Sequence, residues 1–214
     1  MGFKWPEGMD ERPLMTKIEG SKVHFKDGSS KSYDAIILCT GYQHHFPFLA
    51  EDLKLRTTNR LYAPGLYKGV VWTANPHLFY LGMQDQWYTF TMFDAEAWYA
   101  RDVILGRVQP PAEAEMRQDM AAWTKREEAL EDAYQMIDFQ ADYVRELAKA
   151  TDYPAWDIDL TVEEFKQWKK DKETSIVGYR DQAFRSPVTG AMSPGPAKPW
   201  IEAMDDSMDT FLGT

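Results

Sequence analysis

The residues whose types and spacing best suit chemistry lie at positions 82–89, which read GMQDQWYT between a strand pattern and a helical pattern. Backbone N–H groups at the start of a helix carry partial positive charge and suit an electron-rich ligand. A purely structural interpretation is equally open, in which Asp85 caps the helix and Trp87 and Tyr88 fill a core.

A second candidate turn, Thr40-Gly41-Tyr42, ends an apolar run within residues 34–48, which read DAIILCTGYQHHFPF. Open α/β sheets place ligands at the carboxyl ends of their strands, and glycine lets the backbone approach a ligand closely. An ordinary turn that ends a strand would have the same composition. The residues alone leave both interpretations open.

The histidines and the cysteine of this segment do not favour a metal or a reactive site. His44 and His45 are adjacent, so in an extended chain their side chains point to opposite faces, and no cluster of Cys, His and carboxylates accompanies them. Cys39 has no Lys or Arg beside it at the end of an apolar strand, which predicts an inert core thiol. We expect no bound metal ion.

Strand patterns occupy the first part of the chain. The apolar run at residues 35–39 does not alternate, which is typical of a strand buried on both faces in a parallel sheet. Residues 23–26 alternate, and residues 31–33 follow a turn signal at Asp27-Gly28, which predicts a hairpin. Further strand candidates are residues 69–72 and 78–81. So few strands leave the predicted parallel sheet incomplete.

Helical patterns occupy the rest. Apolar residues three or four apart predict a helix that begins near Thr89 and ends before Gly106. Residues 112–150 indicate one broken or two consecutive helices, and Thr161 with Glu164 has the spacing of a capping box. Strands followed by helices predict the α/β class.

The composition limits the classes of partner and the cellular compartments that fit this chain. The chain carries 24 Lys and Arg against 34 Asp and Glu, a net charge of −10, which argues against nucleic acid and anionic membranes. One cysteine excludes an intrachain disulfide framework and fits a reducing compartment. No apolar run is long enough to span a bilayer and no signal peptide is visible, so we expect a cytoplasmic location.

Five stretches together resemble flavin-containing monooxygenases, and among these the bacterial trimethylamine monooxygenases: DAIILCTGY, HHFPFL, NRLYAPGLYKGVVW, FYLGMQDQWYTFTMFDAEAWYARD and AWDIDLTVEEFKQWKK. The resemblance covers essentially the whole chain but only the C-terminal half of the family's length. It implies the C-terminal part of a FAD/NAD(P)-binding Rossmann-like domain, followed by a helical segment. Residues 1–33 would be the tail of the NADPH-binding domain, and residues 34–214 the C-terminal portion of the FAD-binding domain, with a helical region at 112–172 and an extended C-terminal tail.

The glycine pattern agrees with a partial domain. Dinucleotide binding needs glycine-rich turns that let the backbone approach a pyrophosphate. None of the 13 glycines is separated from another by a single residue, so G-x-G does not occur. We therefore expect Met1 to be an internal methionine or the start of a gene fragment, and this chain to be inactive alone.

The resemblance also implies a reaction and its participants. The cofactors would be FAD and NADPH, and the substrates O2 and a small-molecule amine, with trimethylamine preferred and other soft nitrogen or sulfur nucleophiles possible. NADPH would reduce FAD, oxygen would form the C4a-hydroperoxide, and the amine nitrogen would attack its distal oxygen to give an N-oxide. No side chain acts as a covalent nucleophile. The full-length protein is expected to be a homodimer.

Residue roles follow from the same resemblance. The flavin contacts would be Thr40, Gly41, Tyr42, Gln84, Gln86 and Thr89. The substrate pocket would contain Asp85, Trp87 and Trp168, since aromatic faces suit a trimethylated amine. Two alternatives stay open: a related flavin N-hydroxylase or Baeyer-Villiger monooxygenase, and a non-catalytic acidic interaction module.

Overall fold

A computed structural model describes residues 4–41, 43–181, 183–186 and 189–193. The chain divides into two compact units, one formed by Trp5–Pro154 and the other by Met1–Lys4 with Ala155–Thr214. Within the described ranges, no helix is both long and apolar enough to cross a membrane. The predicted domain boundary between residues 33 and 34 stays a prediction.

The larger unit begins with a three-stranded antiparallel sheet in the order β1-β2-β3. Its strands are β1 (Met15–Glu19), β2 (Lys22–Phe25) and β3 (Ser30–Ser32). The Asp27 carboxylate accepts hydrogen bonds from the Ser29 N–H (2.9 Å) and hydroxyl (2.7 Å), and Gly28 between them adopts φ +82°. These contacts close the turn, and the predicted hairpin is confirmed.

The buried strand predicted at residues 35–39 is wrong for this structure. The segment has no regular secondary structure, Ile37 and Leu38 are 85% and 73% exposed, and Cys39 is exposed as well. A doubly buried strand needs a neighbour on each side. Among the described residues every strand pair is antiparallel and none includes this segment, so neither the strand nor the predicted parallel sheet forms.

A short hairpin follows, formed by β4 (Leu66–Tyr67) and β5 (Val71–Trp72). Lys68 and Gly69 in its turn have φ +52° and +65°, the positive values that primed turns require. The strand predicted at residues 78–81 is reduced to one bridge between Val71 and Phe79. Behind the hairpin lies a core cluster made of Leu55, Ala63, Leu66 and Tyr80.

Three helices complete the larger unit: α1 (Thr89–Ile104), α2 (Glu113–Glu128) and α3 (Ala133–Ala150). The predicted helix after position 89 is confirmed, and the uncertain region 112–150 consists of two consecutive helices. Helix α3 packs against α1 and α2 and is the most amphipathic of the three. A 3-10 turn, Glu51–Leu53, precedes the hairpin.

The smaller unit is built on α4 (Ile158–Thr174), followed by a 3-10 turn at Tyr179–Asp181. The capping box predicted at Thr161 is wrong, because Asp157 caps the helix earlier by accepting from the Leu160 N–H at 2.9 Å. Thr161 instead lies inside the helix, where its hydroxyl donates to the Asp157 carbonyl (2.9 Å) and accepts from the Trp156 indole (3.0 Å). Most of the predicted extended tail lies outside the described residues.

The N-cap of α3 gives a first testable expectation. Asp132 accepts a hydrogen bond from the Gln135 N–H at 2.8 Å. We expect Asp132→Ala to lower the free energy of unfolding by about 1 kcal/mol, because an alanine cannot satisfy that N–H. Asp132→Asn keeps a side-chain acceptor and should stay within a few tenths of a kcal/mol of the parent. Urea unfolding checks both variants, and equal losses would show that the cap hydrogen bond contributes nothing.

Candidate functional site

The loop 82–88 connects the hairpin region to α1. Gly82 adopts φ +72°, and a Cβ at this position would lie 2.8 Å from the Phe93 ring, so the backbone conformation and the packing both require glycine. Thr89, the first residue of α1, is also in the left-handed region at φ +36°. The loop thus starts and ends at residues with unusual backbone conformations, which hold only where surrounding contacts impose them.

Gln140 of α3 holds the middle of the loop from beneath. Its side chain is fully buried; Oε1 accepts from the Trp87 N–H at 2.7 Å, and Nε2 donates to the Asp85 carbonyl. One amide therefore satisfies two backbone groups of the loop. Sequence reasoning missed this residue, although its position on the apolar face shared with Ile137, Ala141 and Val144 was a usable signal.

Glu96 of α1 holds the start of the loop. Its side chain is fully buried, and Oε2 accepts from the Gly82 N–H at 2.7 Å. Its Oε1 lies 2.9 Å from the hydroxyl of Tyr143, which also lies 2.9 Å from the Lys68 carbonyl. Gln84 joins the same cluster, since its Nε2 donates to Tyr143 and to the Gly69 carbonyl, each at 3.2 Å.

Burial perturbs the acid–base behaviour of this cluster. It raises the pKa of Glu96 to about 7, against the lowering effect of hydrogen bonds from Gly82, Tyr143 and Gln84. Burial likewise raises the pKa of the Tyr143 phenol well above its usual value, with the nearby Glu96 adding to the effect. Neither residue was identified from the sequence, because polar residues on a helical stripe usually face solvent.

The outer side of the loop carries the predicted pocket residues. Asp85 is exposed and accepts from the Gln86 N–H at 3.0 Å, while Trp87 is half-buried. The alternative in which Asp85 caps α1 is wrong, since Tyr88 occupies the N-cap and its side chain makes no capping hydrogen bond to the helix. Tyr88 is buried, as the structural interpretation predicted.

The predicted flavin contacts divide into three groups. Gln86 is half-buried and Thr89 exposed beside the first turn of α1, where they can face a ligand. The Gln84 side chain is 3% exposed and points into the Glu96 cluster. Thr40 and Gly41 are exposed in the segment without regular structure, and Tyr42 lies outside the described residues.

Trp168, the third predicted pocket residue, belongs to the smaller unit. Its ring contacts Tyr179 edge to face at 5.1 Å between centroids, and the Lys172 ammonium lies 5.3 Å from the ring centre. The structure therefore brings Asp85 and Trp87 together on one loop, while the role of Trp168 in the pocket stays a prediction. In the ranges that the structure covers, no group of three His, Cys, Asp or Glu residues could hold a metal ion.

The chain belongs to the Flavin-binding monooxygenase-like family, whose family model matches residues 9–162. Membership implies a flavin cofactor. A trimethylamine monooxygenase of Pelagibacter ubique is 56% identical over 99% of this chain, and that of Methylocella silvestris is 55% identical over 99%. The chain covers 48% and 47% of these two proteins, so it spans about half the length of the curated relatives it matches.

Solved structures support the family fold. The crystal structure of Tmm from Pelagibacter sp. has a TM-score of 0.86 and 54% identity, and the match covers 99% of this chain and 48% of that one. The S-allyl-L-cysteine S-oxygenase of Allium sativum has a TM-score of 0.62 and 26% identity, with 84% and 42% covered. The resemblance to flavin-containing monooxygenases is thereby confirmed.

The described residues fit one part of a flavin. The amide of Gln86, the hydroxyl of Thr89 and the N–H groups at the start of α1 are suited to the polar edge of an isoalloxazine ring. The diphosphate needs a different kind of site, and no G-x-G turn occurs in the sequence to supply it. We therefore expect this chain to contribute ring contacts, and its sequence contains no G-x-G turn of the kind that holds a diphosphate.

Proposed function

We propose that this chain is the C-terminal part of an FAD- and NADPH-dependent monooxygenase that converts trimethylamine, and similar soft nitrogen or sulfur nucleophiles, to the oxide. The observation that carries the proposal is the 52–56% identity, over 99% of the chain, to proteins named trimethylamine monooxygenase. The anchored loop 82–88 supports it, because a rigid segment that carries a carboxylate and an indole at a helix start is a suitable wall for a small amine.

The proposed domain arrangement follows the predicted one. Residues 1–33 would be the tail of the NADPH-binding domain, and residues 34–214 the C-terminal portion of a Rossmann-like FAD-binding domain. In this arrangement the exposed segment 35–39 becomes a sheet strand, paired on both sides by the half of the relatives' length that this chain does not span. Thr40, Gly41 and Tyr42 would then lie at the strand end, where such folds bind ligands.

The side chains of the chain would bind and orient the amine rather than react with it. The indole of Trp87 offers an aromatic face to the methyl groups, and Asp85 lies at the solvent side of the same loop. Reduced flavin supplies the activated oxygen. Because only the neutral amine has a free lone pair, a desolvated pocket that disfavours the ammonium form assists the reaction.

A chimera tests the proposal. The amino-terminal half of the Methylocella silvestris relative is fused in frame to this chain, and the purified protein is assayed for flavin absorbance and NADPH oxidation. We expect a yellow protein that oxidises NADPH faster with trimethylamine and forms the N-oxide. Trp87→Ala in this chimera should raise KM for trimethylamine about tenfold or more, the loss expected for one buried aromatic contact.

Matched substrates and the unfused chain separate the alternatives. Oxidation of ketones without oxidation of trimethylamine would assign the chain to Baeyer-Villiger chemistry and overturn the proposal. A sulfide substrate measures how far the specificity extends to sulfur. The chain alone should be colourless and inactive. A colourless chimera together with a stable, well-folded chain that binds no flavin would favour the acidic interaction module.

A further inference from the structure

The buried cluster beneath the loop 82–88 contains more hydrogen-bond acceptors than hydrogens. The Tyr143 hydroxyl has one hydrogen, yet its oxygen lies 2.9 Å from both the Lys68 carbonyl and Glu96 Oε1. The two amide hydrogens of Gln84 are shared among the Tyr143 oxygen, the Gly69 carbonyl and Glu96. The Gln84 carbonyl oxygen is buried with no donor among the described residues. An ionised Glu96 would add a charge and no hydrogen to this site.

A proton on Glu96 resolves the shortage. Protonated Oε1 donates to the Tyr143 oxygen, and the Tyr143 hydrogen is then free to donate to the Lys68 carbonyl. Glu96 Oε2 keeps the hydrogen bond from the Gly82 N–H at 2.7 Å. Each of these three contacts then has its own hydrogen, which is the usual condition of buried polar groups.

We propose that Glu96 is a neutral carboxylic acid in the folded protein, and that its proton holds the loop 82–88 in place as a positioning device for the site. The residue contacts the loop at the Gly82 N–H. A role of Glu96 in catalysis rests on the proposed function above, whereas the protonation of Glu96 and its effect on the loop are independent of that function.

The surroundings of Glu96 favour the neutral form. The groups that face it are Tyr143 of α3, Gln84 of the loop and the backbone of Gly82. Tyr62 packs edge to face on Tyr143 at 6.2 Å and is a second neutral phenol. Lys68, whose carbonyl faces Tyr143, has its ammonium in an ion cluster with Asp119 and Glu146.

The direction of the pH effect follows from linkage. The pKa of Glu96 is raised from its ordinary value of 4.5 to about 7, so the folded chain holds a proton that the unfolded or locally opened chain releases. This contribution to stability is complete below pH 4.5 and is lost as the pH rises through 7. If opening of the loop exposes Glu96, the opening constant rises by up to about tenfold per pH unit within that window.

Infrared spectroscopy and hydrogen exchange on the 214-residue chain test the proposal. At pH 5.5 we expect a protonated carboxyl band that titrates away near neutral pH and is absent in Glu96→Gln. Exchange of the Gly82 and Trp87 amides, corrected for intrinsic rate, should accelerate by up to about tenfold per unit from pH 5 to 6.5 in the parent. In Glu96→Gln the corrected exchange rate of these two amides should be independent of pH, since the glutamine side chain mimics the neutral acid.

Glu115→Gln, an exposed change on α2, is the matched control and should follow the parent at every pH. A parent without a buried acid band, or equal pH dependence in the parent and in Glu96→Gln, would overturn the proposal. If Glu96→Gln does not fold, the proposal is tested by the infrared spectra of the parent and of Tyr143→Phe. Tyr143→Phe removes the hydrogen-bond acceptor of the Glu96 carboxyl group and should therefore shift the frequency of the acid band. None of these readouts needs flavin or turnover, so they stand or fail independently of the monooxygenase assignment.

Discussion

Replacing Gly69 with alanine should destabilise the chain by about 3 kcal/mol. Gly69 has φ +65°, where a residue with a Cβ costs about 1 kcal/mol. The added Cβ would also lie 2.3 Å from Gln84 Nε2 and 2.3 Å from the Tyr143 hydroxyl. Both groups are buried in the Glu96 cluster and cannot retreat without breaking hydrogen bonds, so overpacking adds about 2 kcal/mol.

Gly20→Ala provides the matched control for this prediction. Gly20 has φ +60° in the turn between β1 and β2, and a Cβ there would meet nothing within 4 Å. This variant should lose only the conformational term of about 1 kcal/mol. Urea unfolding of the two variants therefore isolates the cost of the contact. Equal losses would show that the cluster yields easily, and the argument for a rigid support beneath the loop would fail.

Replacing Gln140 with leucine should cost about 3 kcal/mol although the two side chains have similar volume. The change removes the donor to the Asp85 carbonyl and the acceptor for the Trp87 N–H. Two partly buried backbone groups then lose their partners, at about 1–2 kcal/mol each. Urea unfolding measures the loss, and faster hydrogen exchange at Trp87 shows where it arises.

Gln118→Leu is the control for Gln140, because Gln118 lies on α2 with its side chain exposed. We expect it to stay within about 0.5 kcal/mol of the parent, as is usual for surface substitutions. In the chimera, Gln140→Leu should also lower kcat/KM for trimethylamine, because the loop that carries Trp87 loses its support. If the hydrogen-exchange rate of the Trp87 amide is unchanged in Gln140→Leu, the Gln140 side chain does not hold the loop 82–88 in place.

Elements that depend on neighbouring residues were predictable from the sequence. The hairpin around Gly28 depends on a local turn, and α1 depends on apolar spacing followed by Gly106, so both could be recognised without tertiary information. The loop 82–88 was located for the same reason, as the junction between a strand pattern and a helical pattern. The start of α4 was misplaced because two capping signals compete there and only Asp157 makes the hydrogen bond at the first turn.

Features that depend on distant partners were not predictable. An apolar run such as residues 35–39 predicts burial only if other strands cover it, and the described residues provide none. Glu96 and Gln140 occupy buried positions among apolar residues, where their sequence types alone would place them on the surface. Their hydrogen-bond partners lie on other elements, 14 to 55 residues away in the chain. Composition and periodicity therefore could not predict these contacts.

The exposed segment 35–39 has a practical consequence for the chain in solution. Short apolar stretches rich in β-branched residues, without proline or charge, are the stretches to which further extended chains add. Residues 35–39 read AIILC, with three of their side chains at least 44% exposed: Ile36, Ile37 and Leu38. We therefore expect these residues to promote self-association of the chain, and a single lysine among them to act as a gatekeeper against it.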